Sequence, residues 1–306
     1  MRIGIDLGGT NIAAGLVDVS CAIIAKDSVR TPAGADAIVS AMADLTRSLC
    51  QKAGVETIES AGVGSPGSID ASAGVVVFSN NLHFRNVPLA DMLSERLGVL
   101  VKIGNDANAA ALGEARAGAA KGRESMILVT LGTGVGGGII IGGEIYDGFN
   151  GMAGEVGHTV IVKDGALCTC GRKGCWEAYT SATGLIRMTK EAMERAPDSL
   201  MHKITRDMGK VSGRTAFAAE RRGDAAAGAV VSAYLSYTAC GLANLINLFQ
   251  PAVLCLGGGI ANEGQTLIER LEPLLEPECF DVGERKTVLR LAELGNDAGI
   301  IGAALL

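Results

Sequence analysis

The feature that most constrains this chain is a pattern written twice. Near the start, Ile3, Ile5 and Leu7 alternate up to Gly8-Gly9, and Ile12, Ala14 and Leu16 alternate away from it. From Met126 to Leu131 a second apolar run meets Gly132-Thr133-Gly134-Val135-Gly136-Gly137-Gly138, and Ile139 to Ile141 resumes it. Period-two alternation on both sides of a glycine turn predicts a β-hairpin. Two such hairpins in comparable contexts predict two related halves. Helical spacing predicts helices over 35–53, 88–97, 184–195, 214–222, 224–249 and 264–276, with another beginning near Asp106. Apolar runs at 22–29, 60–64, 99–103, 253–256 and 287–291 predict further strands. Strands interleaved with helices define a layered α/β fold. Its boundary is expected near 105–125, giving an N-terminal lobe over 1–115, completed by a C-terminal helix near 296–306, and a larger lobe over 116–306.

Composition sharpens the point. The chain has 306 residues, of which 43 are Gly and 7 Pro, with a formal net charge of −6. No Gly-X-Y period exists, so collagen is excluded. No run of Lys/Arg provides a nucleic-acid surface. Residues 1–10 carry Asp6 and lack the apolar stretch of a signal peptide, so a cytoplasmic location is expected. Val230 to Phe249 is the segment nearest to a membrane span; its Ser, Tyr, Thr and Asn residues mark it instead as a helix buried on all sides.

An acidic chain that binds an anion needs backbone N–H groups or a metal to do so. Glycine turns supply both the N–H concavity and the positive φ that other residues avoid. Gly8, Gly9, Gly132, Gly134 and the Gly257-Gly258-Gly259 run are therefore candidate phosphate turns. Thr10 and Thr133 add hydroxyls, and Asp6 is placed for a hydrated Mg²⁺. No Gly-x-x-x-x-Gly-Lys-Ser/Thr sequence is present. Gly132, Gly134 and Gly137 match Gly-x-Gly-x-x-Gly, but a strand follows where a dinucleotide fold needs a helix. The remaining glycines read as ordinary turns and close helix packing.

Asn105-Asp106 joins an apolar strand to an alanine-rich helix. Either residue can be the N-cap, and Asp106 can equally be a general base that takes a proton from a phosphoryl acceptor. His158, Cys168, Cys170 and Cys175 make up a Cys₃His set with tight Cys-x-Cys-x₄-Cys spacing, the composition of a closed structural zinc site. Gly171 and Gly174 let that loop wrap a metal. Cys21, Cys50, Cys240, Cys255 and Cys279 read as core thiols, and His83 and His202 as isolated residues.

Together these residues resemble the ROK family of bacterial sugar kinases and sugar-responsive repressors. The resemblance spans essentially the whole chain. It rests on Asp6-Leu7-Gly8-Gly9-Thr10, Gly64-Ser65-Pro66-Gly67, Asn105-Asp106-Ala107-Asn108, the Leu131–Gly138 run, Gly154-Glu155-Val156-Gly157-His158, the three clustered cysteines and Leu256 to Gly259. It implies an actin-like ATPase (ribonuclease H-like) pair of lobes with the active site in the cleft between them. It also implies that Asp106 activates a sugar hydroxyl. Gly67, Asn81, Asn105, Glu155, His158 and Glu177 would contact the sugar, with His158 also on zinc. Asp6, Gly8, Gly9, Thr10, Asn11, Gly132, Thr133 and Gly134 would surround the ATP phosphates and Mg²⁺, and Gly257, Gly258 and Gly259 the adenosine.

Asn80 to Leu89 resembles the segment of the family's glucokinases, whereas Asn11 stands where many of them have Lys. The first kinase strand begins at Arg2, so the helix-turn-helix of the repressors is not expected. The expectation is an ATP-dependent hexokinase, acting on glucose at C6, that assembles as a dimer or tetramer. The alternatives are another hexose (fructose, mannose, allose or N-acetylmannosamine) or a non-enzymatic sugar sensor.

Overall fold

The computed structural model describes residues 1–280 and 287–306. The chain forms two compact units: residues 1–128, 137–154 and 292–306 in the first, and 129–136 with 155–291 in the second. In chain order the strands are β1 (Arg2–Leu7), β2 (Asn11–Val17), β3 (Ile23–Arg30), β4 (Ser60–Ser65), β5 (Ser68–Asp70), β6 (Val75–Ser79), β7 (Phe84–Val87), β8 (Leu100–Asn105), β9 (Met126–Leu131), β10 (Val135–Ile141), β11 (Glu144–Ile145), β12 (Val253–Gly257) and β13 (Val288–Leu291). The helices are α1 (Ala35–Ala53), α2 (Leu89–Leu97), α3 (Asp106–Ala117), α4 (Glu177–Thr180), α5 (Ala182–Arg195), α6 (Met201–Ile204), α7 (Gly213–Glu220), α8 (Ala225–Phe249), α9 (Gln265–Leu275) and α10 (Asp297–Ala304).

Two five-stranded sheets organise the chain, in the orders β3-β2-β1-β4-β8 and β11-β10-β9-β12-β13. Both glycine-tipped segments form as expected, with β1 antiparallel to β2 and β10 running on directly from the second turn. The strand after Gly134 confirms that no dinucleotide-type helix follows that motif. A third sheet, β5-β6-β7, covers 68–87 and was not anticipated. Its strands are three to five residues long, too short for alternation to stand out.

In the first unit the pleat of β1 sorts its side chains. Ile3, Ile5 and Leu7 are fully buried in the core that also holds Ile38, Met42 and Leu49 of α1. Gly4 and Asp6 lie on the opposite face, and α10 packs there. Gly15, Gly4 and Gly62 are register partners across β2, β1 and β4. A Cβ on Gly4 would lie 1.8 Å from the Ile300 carbonyl oxygen, and one on Gly62 1.8 Å from that of Ala303. This row of glycines is a groove for a helix backbone. From its other side α3 presses on α10 equally closely: a Cβ on Gly302 would lie 1.6 Å from the Ala109 carbonyl oxygen.

In the second unit α8 corrects an expectation. It is not buried all round: Ala229, Ser232, Ser236, Asn244 and Asn247 form an exposed stripe, while Val231, Tyr234, Leu235 and Leu242 are buried. The polar residues sit on that stripe because burial without partners would leave their hydrogen-bonding groups unmet. Among the described residues α8 is the one helix long and apolar enough to cross a membrane, and 61% of its most apolar window is buried within the protein. The scattered cysteines also differ from expectation. Only Cys255 is fully buried; Cys21, Cys50, Cys240 and Cys279 are half-buried at element ends and helix edges.

Candidate active site and metal centre

In the first unit the candidate residues collect at the ends of β1, β4 and β8. Asn105 ends β8 and caps α3. Its Oδ1 accepts from the N–H groups of Ala107 (2.9 Å) and Asn108 (3.2 Å), and its Nδ2 donates to the Gly67 carbonyl (3.3 Å). Of the two N-cap candidates, Asn105 thus takes the role. Asp106 is left as the first residue of the helix, its Oδ1 accepting from the Ala107 N–H at 2.9 Å.

Burial raises the Asp106 carboxyl above the ordinary carboxylate range, against the pull of that N–H and of Asn105. Asp6 is raised to about 6, first by burial and then by the charge of Asp106. Neither carboxylate has a salt bridge among the described residues. Two half-buried like charges without a cation form a donor set suited to a hard divalent ion.

The first glycine turn is closed by the Gly8 N–H on the Asn11 carbonyl at 2.9 Å. Thr31 clasps it, its Oγ1 donating to the Gly8 carbonyl at 2.7 Å and its N–H to the Thr10 carbonyl at 2.9 Å. A Cβ on Gly9 would lie 3.2 Å from Cβ of Asn81, which brings that residue against the turn. Gly9 and Asn81 share the rim of a pocket of about 790 Å³ that continues along Thr31, Asn80, His83 and Arg85.

The second unit holds the other candidates. The Gly132 N–H donates to the Gly134 carbonyl at 3.0 Å, closing the second turn. The start of α5 braces it: the Ala182 N–H donates to the Gly132 carbonyl (2.8 Å) and Thr183 Oγ1 to the Thr133 carbonyl (2.8 Å). Gly258 packs on the end of β9, where its Cβ would lie 2.6 Å from the Leu131 carbonyl oxygen, so the second and third glycine turns adjoin. The expected reason for these glycines needs correction. Among the residues proposed for the three turns only Gly258 has positive φ, at 84°. Space demands glycine at two of the others, where a Cβ on Gly134 would lie 2.5 Å from Glu177 Oε2 and one on Gly8 2.9 Å from the Asn11 carbonyl oxygen, whereas one on Gly259 would meet no atom within 4 Å.

His158, Cys168, Cys170 and Cys175 converge, with their ligand atoms all within 4.8 Å of one another. Cys168 Sγ is 3.7 Å from His158 Nδ1, and Cys170 Sγ is 3.7 Å from Cys175 Sγ. Bonds of ~2.3 Å to a tetrahedral zinc imply edges of roughly 3.7 Å, so the donor set fits the ion. Nδ1 of His158 faces the sulfurs, and Nε2 lies 3.9 Å from Glu155 Oε2. Gly171 and Gly174 have positive φ, 86° and 83°, as the wrapped loop requires. Burial pushes the Cys175 thiol up to about 12, a cost that a coordinated dication reverses.

Glu177 follows the buried Trp176. Its Oε2 accepts from the Val135 N–H at 2.9 Å, and its Oε1 accepts from Thr169 Oγ1 at 3.0 Å and Cys168 Sγ at 3.4 Å. Thr169 and Val135 were not anticipated as site residues. They lie 8 and 42 positions from Glu177, and no local pattern announces either contact.

Comparison with known proteins agrees with this geometry. The family model "ROK family" matches residues 2–306. A glucokinase of Streptomyces coelicolor is 36% identical over 308 residues, covering 99% of this chain and 96% of that protein. The crystal structure of a ROK family glucokinase from Streptomyces griseus in complex with glucose and AMPPNP superposes with a TM-score of 0.79 at 37% identity, covering 99% and 97% of the two chains. A ROK hexokinase from Thermus thermophilus gives 0.86 at 36% identity, covering 99% and 96%. The mixed α/β architecture is that of the actin-like ATPase fold. The matched span, the paired five-stranded sheets and the converged Cys₃His set lead to one conclusion: this chain belongs to the ROK family.

Proposed function

We propose that the protein is an ATP-dependent hexose kinase that phosphorylates glucose at its C6 hydroxyl. The observation that carries the reading is Asp106. It is a half-buried carboxylate on the first turn of α3, with a pKa raised by desolvation, next to the Asn105 side chain and the charge of Asp6. A carboxylate of raised pKa is a better proton acceptor than an ordinary one. The C6 oxygen attacks the γ-phosphorus, the bond to the ADP oxygen breaks, and the hydroxyl proton passes to Asp106. Phosphoryl transfer of this kind depends on positioning and electrostatics more than on covalent chemistry.

Asp6 would hold the Mg²⁺ that neutralises the phosphate charge. The turns at Gly8 to Asn11 and Gly132 to Gly134 offer backbone to the phosphates, and Gly257 to Gly259 offers it to the adenosine. Gly67, Asn81, Asn105, Glu155, His158 and Glu177 would orient the sugar. His158 Nδ1 and the three cysteines would hold a structural zinc, leaving Nε2 for a hydroxyl, since the metal fixes ring orientation and tautomer. We propose further that the enzyme works in the cytoplasm as a homo-oligomer, with neither nucleic acid nor membrane as a partner.

Asp106→Asn tests the base. With its fold verified by circular dichroism, the variant should lose nearly all ADP release in a coupled assay, and a rate near wild type refutes the assignment. The same assay across glucose, fructose, mannose, allose and N-acetylmannosamine tests the sugar, with glucose expected to give the highest kcat/KM.

A further inference from the structure

Glu177 has two faces. One oxygen takes the Val135 N–H, the first amide after Gly134, at 2.9 Å. The other takes the Thr169 hydroxyl at 3.0 Å, from the middle of the Cys168-Thr169-Cys170 run. Gly134 shows that this is a built contact, since any side chain there would occupy the place of Oε2, 2.5 Å from its Cβ. The carboxylate therefore joins the loop that carries the metal ligands to the turn that faces the phosphates. Thr133, Gly134, Cys168, Thr169 and Glu177 all line one pocket of about 240 Å³.

We propose that Thr169 is a positioning residue, whose hydroxyl aims Glu177 at the Val135 N–H and so sets the shape of the Gly132–Gly134 turn for the phosphoryl donor. The inference rests on the kinase reading above and assigns a role to a residue outside that site. The physical case turns on which groups can donate to Oε1. Thr169 Oγ1 is the nearer donor, at 3.0 Å against 3.4 Å for Cys168 Sγ, and an O–H is a stronger donor than an S–H. The Thr169 hydroxyl is therefore the main donor from this loop to Glu177. A hydrogen bond to a charged acceptor is both stronger and more directional than a neutral one, so its loss frees the carboxylate to rotate away from Val135.

The test compares Thr169→Val, which keeps the branched shape and removes the donor, with Thr169→Ser, which keeps the donor. Three measurements are made on the full-length, zinc-loaded protein: zinc content, hydrogen exchange of the Val135 amide without substrates, and KM for ATP alongside kcat. In Thr169→Val zinc should remain at one per chain, Val135 exchange should accelerate about tenfold, and KM for ATP should rise about tenfold with a smaller change in kcat. Thr169→Ser should stay within about twofold of wild type.

Unchanged Val135 exchange in Thr169→Val overturns the proposal, as does zinc loss there or equal impairment in Thr169→Ser. Faster exchange with an unchanged KM for ATP overturns the link to the donor turn. If the wild-type protein turns over no sugar, the kinase reading fails by itself. The exchange measurement still decides the Thr169–Glu177–Val135 linkage, with AMPPNP binding by calorimetry in place of KM.

Discussion

Asp6→Asn should make the protein more stable and inactive at once, and the gain should depend on pH in a way set by one number. The Asp6 carboxyl is raised from 3.8 to about 6 by burial and by Asp106. At ~1.4 kcal/mol per unit, holding it ionised in the folded state costs about 3 kcal/mol at pH 7.5. Because the folded pKa lies above the unfolded one, the advantage of the protonated group is complete below pH 4 and is lost as pH rises through 6.

Asparagine fills nearly the same space against Gly299, whose Cβ position is 3.2 Å from the Asp6 carboxyl carbon, and carries no charge. Relative to wild type, the variant should gain about 3 kcal/mol at pH 7.5 but only about 1.5 kcal/mol at pH 5. In a unit of this size each kcal/mol moves Tm by about 2–4 °C. Urea midpoints at the two pH values, followed by circular dichroism, measure the difference. An equal gain at both, or a loss at pH 7.5, refutes the claim that Asp6 is a half-buried, desolvated charge without a compensating cation.

The same carboxylate should shape the rate. Asp6 is raised to about 6, so kcat/KM for the sugar should climb between pH 5 and 7 as it ionises and level off above; a coupled assay at saturating Mg²⁺ reads this, and a flat profile contradicts it. Purified without added metal, the protein should carry about one zinc per chain by elemental analysis, and Cys175→Ser should lose it and unfold at lower temperature; a metal-free, stable and active protein sinks the Cys₃His assignment. Gly241→Ala should destabilise by about 1–3 kcal/mol and shift the emission of the single tryptophan, because the new methyl would lie 2.0 Å from the Trp176 ring. Emission and stability equal to wild type would mean that this packing is looser than described.

Much of this was legible in the sequence, because the informative segments are local. Alternation fixes β1 and β2 around Gly8-Gly9, and the Cys₃His composition needs only His158 to come from outside the Cys168–Cys175 run. Asn105-Asp106 could be placed at a strand–helix junction, but whether Asn105 or Asp106 made the cap could not. That depends on side-chain direction, and either residue can form the bond. The β5-β6-β7 sheet escaped for want of length. The even burial assigned to α8 followed from composition, which does not reveal that its Ser and Asn residues share one face. Thr169 and Val135 were out of reach, since nothing in a sequence marks two residues that meet a carboxylate through tertiary structure alone.

Glycine is where sequence and structure diverge most usefully. A high count in an acidic chain pointed to anion-binding turns of positive φ, yet Gly8, Gly9, Gly132 and Gly134 do not have it. The stronger demand for a missing side chain comes from Gly15, Gly4 and Gly62 under α10, and from Gly113 and Gly302 where α10 meets α3. Asp6 lies beside Gly4 on β1, facing Gly299 of α10, and Asp106 begins α3. The glycine packing therefore fixes the depth of both carboxylates. A methyl at Gly4 or Gly62 would lift α10 from the sheet, admit water around Asp6 and lower its pKa. Glycines outside the proposed phosphate turns thus set the electrostatics of the two carboxylates proposed for the chemistry.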